Sequence, residues 1–379
     1  MTKSLAKQVY FGARVFDGVA SRDDRALVIE GGRILALLPV IDRPRDGRQI
    51  DLGGGILSPG FVDWQVNGGG GVLFNADPSP DGIAKIAAAH RRFGTTSILP
   101  TLITDAPGVL AEGLKAAKTA TTATSGSLGI HVEGPFIDPN RKGVHRPAFM
   151  RPMLDADAAG LIAAKAGVMV VTLAPNIVSL DHIRRLAEAG IIVSFGHSDA
   201  TTEQALAGFD AGARAVTHLF NAMSQLQSRA PGLVGAALAR KNIVCGLIAD
   251  GVHVHDVAML TAIAGKGADG VSLVSDAMPP AAGGPDSFTL QGGLITRNGN
   301  HLTDAKGTLA GAAIVMHDAV IYCTRNLGVT ASDALRMATS TPARLLGLDH
   351  EIGALRAGAR ADLLHLGDDL ALLAVLEQD

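Results

Sequence analysis

Residues 168–197 read VMVVTLAPNIVSLDHIRRLAEAGIIVSFGH. The run Val168–Ala174 is short, apolar and strand-like, and Leu180–Ala189 is helical in pattern. Ile191–His197 is a second strand. Strand, helix and strand joined by short connections make one βα repeat of a parallel sheet. Working outward, the same alternation gives eight candidate strands: Gly60–Val66, Ser97–Leu102, Leu128–Glu133, Val168–Ala174, Ile191–His197, Ala215–Phe220, Ile243–Asp250 and Val271–Asp276. Ala/Leu-rich helical stretches lie between them, among them Gly82–Arg92, Val109–Thr119 and Val257–Ala264. Eight repeats predict an α/β protein of the (β/α)₈ TIM-barrel type, with its active site at the C-terminal ends of the strands. An insertion, Ser287–Thr303, follows the eighth strand, and its Asn298-Gly299 pair predicts a type I′ hairpin turn. Helical segments Ala312–Thr324 and Ser332–Met337 then close the barrel.

The two ends of the chain read differently. Gln8–Val15, Arg25–Glu30 and Arg33–Pro39 are strand-like, with Gly31-Gly32 as a tight turn. Gly358–Asp362 leads into another apolar strand, Leu363–Leu366. The expected organisation is a small β-sandwich built from both termini, residues 1–57 and 348–379, around a barrel spanning 58–347.

Composition narrows the functions. The 379 residues are 47% apolar, enough for a large core, and only 4% aromatic, which argues against a nucleic-acid stacking surface. With 33 basic and 36 acidic residues the net charge is −3, and no basic run suggests nucleic acid or an anionic membrane as partner. Cys245 and Cys323 are too few for a secreted disulfide framework, and no apolar stretch reaches spanning length. The N-terminus lacks the apolar segment of a signal peptide, so the expected location is the cytoplasm. A P-loop lysine and a Gly-x-Ser-x-Gly elbow are both absent from the sequence.

The chemistry lies at the strand ends. The third strand ends in His131-Val132-Glu133-Gly134-Pro135, the fifth in Gly196-His197-Ser198-Asp199, and the sixth carries Thr217-His218-Leu219-Phe220-Asn221. The seventh ends in Asp250-Gly251-Val252-His253 and the eighth in Ser275-Asp276-Ala277. Glutamate and aspartate are almost never buried without a partner or cation, so packing does not explain this concentration. Glu133, His197 and His218 form the carboxylate and two imidazoles of a catalytic zinc site with one position left open. Asp276 then suits a general base that takes a proton from water and returns it to a leaving amine.

In these residues and their surroundings the chain resembles, essentially end to end, the N-acetylglucosamine-6-phosphate deacetylases of the amidohydrolase superfamily. Pro59–Asp63 is shared across the superfamily, whereas His131–Phe136, Lys142–His145, Gly196–Thr201, Thr217–Met223 and Ala249–His253 carry the narrower likeness. The resemblance implies hydrolysis of the N-acetyl group of N-acetylglucosamine 6-phosphate. It implies Glu133, His197 and His218 as metal ligands, Asp276 as catalytic acid/base, and His145 beside the acetyl carbonyl. It also implies that Asn221, Ala222, Arg229 and His253 hold the sugar phosphate, with Arg229 reaching in from the neighbouring subunit of a homodimer. Val144, Asp250 and the segment Leu309-Ala310-Gly311 are further sugar contacts by the same likeness.

One departure bears on the metal count. Many amidohydrolases carry His-x-His after the first strand, and here the position reads Gln65-Val66-Asn67. The expectation is therefore one divalent ion per subunit, zinc foremost, although Fe²⁺, Mn²⁺ and Co²⁺ accept the same ligands. Gln65 becomes a hydrogen-bonding residue behind the ligands, or at most a weak ligand. The alternatives are a dihydroorotase-like or adenine deaminase-like sister enzyme and a metal-free scaffold. The sister enzymes need the His-x-His or a bridging lysine on the fourth strand, which this chain lacks, and the scaffold predicts lost ligands.

Overall fold

The computed structural model describes residues 7–376. Eight parallel strands make the barrel: β1 (Phe61–Val66), β2 (Thr95–Ile103), β3 (Gly129–Glu133), β4 (Val168–Leu173), β5 (Ile192–Phe195), β6 (Ala215–Val216), β7 (Val244–Leu247) and β8 (Val271–Leu273). Each pairs with its successor, and a parallel bridge from Val66 to Ala277 draws the segment after β8 against β1. Helices follow the strands in turn: α1 (Pro80–Arg91), α2 (Pro107–Ala123), α3 (Asp155–Ala164), α4 (Leu180–Glu188), α5 (Thr202–Asp210), α6 (Gly232–Ala239), α7 (Asp256–Lys266) and α8 (Met316–Arg325). Strands covered on both faces are rich in apolar residues, and this makes them legible in the sequence. Side-chain caps open α1, α4, α5 and α7, at Ser79, Ser179, Thr201 and His255. Thr201 Oγ1 accepts from Gln204 N at 3.3 Å while Gln204 Oε1 accepts from Thr201 N at 2.9 Å, opening α5 four residues after His197.

The barrel interior holds polar groups beneath its mouth. His131 Nε2 lies 2.7 Å from Thr172 Oγ1, Thr172 lies 2.6 Å from Thr217 Oγ1, and Thr217 lies 2.6 Å from Ser194 Oγ. Trp64 Nε1 donates to Ser272 Oγ at 3.0 Å. Burial pulls the His131 pKa down to about 4, so the ring is neutral, and unpaired it would be costly. Asp63, fully buried on β1, accepts from the Gln65 amide (3.2 Å), the Ser275 amide (3.3 Å) and the Ser275 hydroxyl. It thereby ties β1 to the segment after β8.

Both chain ends form the accessory sheets. One runs Arg33–Pro39, Arg25–Glu30, Gln8–Phe11, Arg48–Asp51 across its width. The other runs Leu372–Leu376, Leu363–Leu366, Ile56–Pro59, Arg14–Phe16, Ser21–Arg22, so C-terminal strands complete an N-terminal sheet. Tyr10, Val15, Leu27, Ile29, Leu57 and Leu363 pack between the two sheets.

Three local expectations need correction. Gln8–Val15 is two strands in different sheets, because Gly12 takes φ +83 and a Cβ there would strike Asp51 Oδ1. In the insertion Asn298 pairs with His301, so the turn is Gly299-Asn300. Only Gly299 has positive φ (61), the arrangement of a type II′ turn, which the order of the residues alone did not separate from I′. Ala312 ends a strand, Leu309–Ala312, that pairs with His301–Thr303, and α8 begins only at Met316. The Gly31-Gly32 turn does have both residues at positive φ (59 and 73), as type I′ requires.

Candidate active site

Three side chains converge at the C-terminal mouth of the barrel. Glu133 is the last residue of β3, and His197 and His218 stand just past β5 and β6. Glu133 Oε1 is 3.2 Å from His197 Nε2 and 2.9 Å from His218 Nε2, and the two nitrogens are 3.0 Å apart. Ligand atoms about 2.0–2.1 Å from a tetrahedral zinc lie roughly 3.3 Å from one another, so this triangle is close to the size a cation needs. Two imidazole nitrogens at this distance share either a proton or a cation. All three groups are buried. His197 Nδ1 bonds to the Arg141 carbonyl at 2.8 Å and so donates its proton there, which leaves the Nε2 lone pair for a metal. Burial pushes the Glu133 pKa up, but the hydrogen bonds and charges of His197 and His218 outweigh it and hold the carboxyl well below its usual range. The donor set therefore fits a divalent cation.

The backbone here is held in sparsely populated conformations. His197 (φ 48), His218 (φ 35), Ala222 (φ 49) and Asp276 (φ 49) all occupy the left-handed region, at about 1–3 kcal/mol each for residues other than glycine. Gly196 permits the turn into His197, since a Cβ on it would lie 2.9 Å from Thr172 Cγ2.

Asp276 completes the floor. Gln65 Nε2 (3.1 Å) and Asn67 Nδ2 (2.7 Å) both donate to its Oδ1. The two residues that replace the His-x-His imidazoles thus hold the carboxylate by one oxygen and leave Oδ2 for chemistry. Burial, with the charge of Glu133 added, raises the Asp276 pKa to about 6. His145 arrives on the loop after β3, its ring 4.3 Å from that of His197, with Nδ1 2.8 Å from Thr104 Oγ1. That loop is tied down by Asp138, which accepts from Asn176 Nδ2 at 2.6 Å while Ser198 Oγ donates to Asn176 Oδ1 at 2.7 Å. Asn176 is what the end of β4 contributes, the one strand end from the third onward without a metal-capable group.

A single pocket gathers most of the residues singled out in the sequence. Glu133, Val144, His145, His197, His218, Asn221, Ala222, His253, Asp276, Leu309 and Gly311 line it, together with Asn67. Four others lie elsewhere. Gln65 sits behind Asp276, and the Ala310 side chain packs with Leu290, Ile295 and Leu302 under the hairpin. Asp250 accepts from the Val252 and His253 amides (both 2.9 Å) and from His253 Nδ1 (2.7 Å), so it orients His253 rather than facing the cavity. Arg229 is exposed on a separate groove with Arg141, Asp199 and Gln227. Among the described residues, no lysine or arginine lines the catalytic pocket of this chain. The sequence reading missed Asn67, Thr104 and Asn176 as parts of the site, because amides and hydroxyls carry no metal or charge signature. For Asn67, its place just after the first strand, where many amidohydrolases carry the second His of His-x-His, was the available clue.

A buried carboxylate–imidazole triad at the mouth of a (β/α)₈ barrel, with an aspartate after the last strand, defines a metal-dependent hydrolase site. The amidohydrolase family model matches residues 56–377, and the chain belongs to that family. Within it, the chain is 39% identical over 367 residues to N-acetylgalactosamine-6-phosphate deacetylase of Shewanella sp. (strain ANA-3), covering 96% of this chain and 93% of that one. It is 34% identical to N-acetylglucosamine-6-phosphate deacetylase of Haemophilus influenzae, covering 90% of each. The crystal structure of N-acetylglucosamine-6-phosphate deacetylase from Pasteurella multocida superposes with a TM-score of 0.93 at 35% identity, over 97% of this chain and 98% of that one.

Proposed function

We propose that this enzyme hydrolyses the acetamide of N-acetylglucosamine 6-phosphate to glucosamine 6-phosphate and acetate, as a cytoplasmic homodimer with one zinc ion per subunit. The observation that carries the reading is the triangle of Glu133, His197 and His218 ligand atoms, 2.9–3.2 Å on a side, in a pocket lined by Asp276 and His145. Glu133, His197 and His218 would hold the ion, which supplies a Lewis acid for the acetyl carbonyl and lowers the pKa of water to about 7. Asp276 Oδ2 takes a proton from the attacking water as the new C–O bond forms. It then gives that proton to the sugar nitrogen as the C–N bond breaks, releasing the amine and acetate. His145 donates a hydrogen bond to the carbonyl oxygen as negative charge builds on it. Val144, Leu309 and Gly311 flank the sugar, while Asn221 and Ala222 bind at the phosphate end.

That no lysine or arginine among the described residues lines the pocket is what favours a shared site. We place His253, oriented by Asp250, and the neighbouring subunit's copy of Arg229 at the phosphate. A guanidinium fork matches a phosphate dianion. A second reading of the substrate is the galactosamine epimer: relatives named for it, from Shewanella sp. and Escherichia coli O157:H7, match at 39% and 38%, against 34% to 37% for relatives named for the glucosamine epimer. Acetate release from both epimers, each with and without its 6-phosphate, tests the proposal. It fails if the metal-loaded, folded protein releases acetate from neither phosphate.

A further inference from the structure

We infer that Thr104, the residue immediately after β2, sets the tautomer of His145 so that its Nε2 carries the proton offered to the substrate. The inference rests on the role proposed above for His145. Two donors of Thr104 converge on one ring nitrogen. Its backbone N–H donates to His145 Nδ1 at 3.4 Å, and its hydroxyl lies 2.8 Å from the same atom. A backbone amide can only donate, so Nδ1 must be the accepting, unprotonated nitrogen. The hydroxyl has one proton and two acceptors within reach, His145 Nδ1 at 2.8 Å and the Glu133 carbonyl at 3.4 Å, and the shorter contact takes it. A neutral imidazole whose Nδ1 accepts carries its proton on Nε2. That is the form able to donate to a carbonyl oxygen gaining negative charge. The opposite tautomer would present a lone pair to that oxygen and repel it.

Thr104 is itself held by its neighbours. Its side chain is buried, its carbonyl accepts from Gln291 Nε2 at 2.5 Å, and Gly134 passes so close that a Cβ there would lie 2.1 Å from Thr104 Oγ1. Gln291 belongs to the insertion that packs over the barrel mouth, and Glu133 to β3. One threonine therefore joins the second strand, the hairpin and the ring of His145. It touches no substrate in this scheme and acts as a positioning residue.

The test combines a spectroscopic and a kinetic readout on the zinc-loaded enzyme. Nitrogen-15 shifts of the His145 ring, assigned by its loss in His145→Ala, should report Nδ1 as unprotonated and Nε2 as protonated in the wild type. A protonated Nδ1 would overturn the inference without any variant. Thr104→Val keeps the shape and the backbone N–H but removes the hydroxyl. We expect kcat to fall about ten-fold with KM and the bound zinc unchanged, and Thr104→Ser to recover most of the loss. Equal rates in wild type and Thr104→Val, or a Ser variant as slow as Val, would also overturn it. If Thr104→Val fails to fold, the wild-type spectrum still decides. His145→Ala separates the two layers: full activity in that variant defeats the reading of His145 itself. A crippled His145→Ala beside a fully active Thr104→Val defeats only the tautomer inference.

Discussion

Replacing Asp276 with asparagine isolates proton transfer from everything else the residue does. Gln65 and Asn67 both donate to Oδ1, an oxygen that Asn also possesses, so the side chain keeps its two hydrogen bonds and its strained backbone. Only Oδ2, the unbonded acceptor, becomes an amide. The loss should therefore be close to the worth of a positioned general base, about 10²–10⁴ in kcat, or roughly 3–5 kcal/mol at 1.36 kcal/mol per factor of ten. Burial first and Glu133 second raise the Asp276 pKa to about 6 in the metal-free chain. A bound cation adds positive charge and pulls it downward. Because the base acts only when ionised, kcat/KM should rise with pH through a limb whose midpoint lies at or below about 6. Acetate release between pH 4.5 and 8 on wild type and Asp276→Asn, with bound metal measured in both, checks this. A variant within a few-fold of wild type, or one that keeps the acid limb unchanged, would refute the role.

Other outcomes follow from the same geometry. Arg229→Ala should lower kcat/KM for the phosphorylated sugar about ten- to a hundred-fold, since a charge-assisted contact is worth about 1.5–3 kcal/mol, while the unphosphorylated sugar is scarcely affected. Mixing Arg229→Ala with Asp276→Asn under subunit exchange should restore part of the activity; no recovery places Arg229 in its own chain's site. Asn176→Ala should weaken metal retention on dialysis by loosening the loop beside His197, and unchanged retention would make the Asp138–Asn176–Ser198 bridge merely structural. Asp63 gives a stability test. Burial raises its folded pKa to about 7 from 3.8, so the stability it contributes is full below about pH 4 and is lost as pH rises toward 7. Asp63→Asn should flatten that part of the urea-midpoint profile, and an undiminished slope in the variant would mean that other groups cause it.

Much of the barrel was legible because its physics leaves a mark on sequence. Strands such as Val168–Leu173 are covered on both faces and so read as apolar runs. Glu133, His197, His218 and Asp276 stood out because ionisable groups at the ends of such strands need a reason to be there. What was hidden has no comparable mark. The left-handed backbone of His197, His218 and Asp276 is invisible in a string of letters, and so is the hydrogen-bonded chain from His131 to Ser194 inside the barrel. Thr104 and Asn176 are ordinary loop residues until the fold brings them to His145 and Asp138. Arg229 reads as a phosphate ligand by resemblance, yet within this chain it lies on a separate groove, a placement that no sequence pattern marks.

In the proposed function one cation, held by Glu133, His197 and His218, makes this pocket an amino-sugar-phosphate deacetylase. The most direct test is to strip the protein with a chelator and titrate zinc back while following acetate release from N-acetylglucosamine 6-phosphate. The rate should rise linearly and break at one equivalent per chain, with no recovery in Glu133→Gln. A break at two equivalents, or a folded and zinc-loaded protein that releases no acetate, would contradict the account.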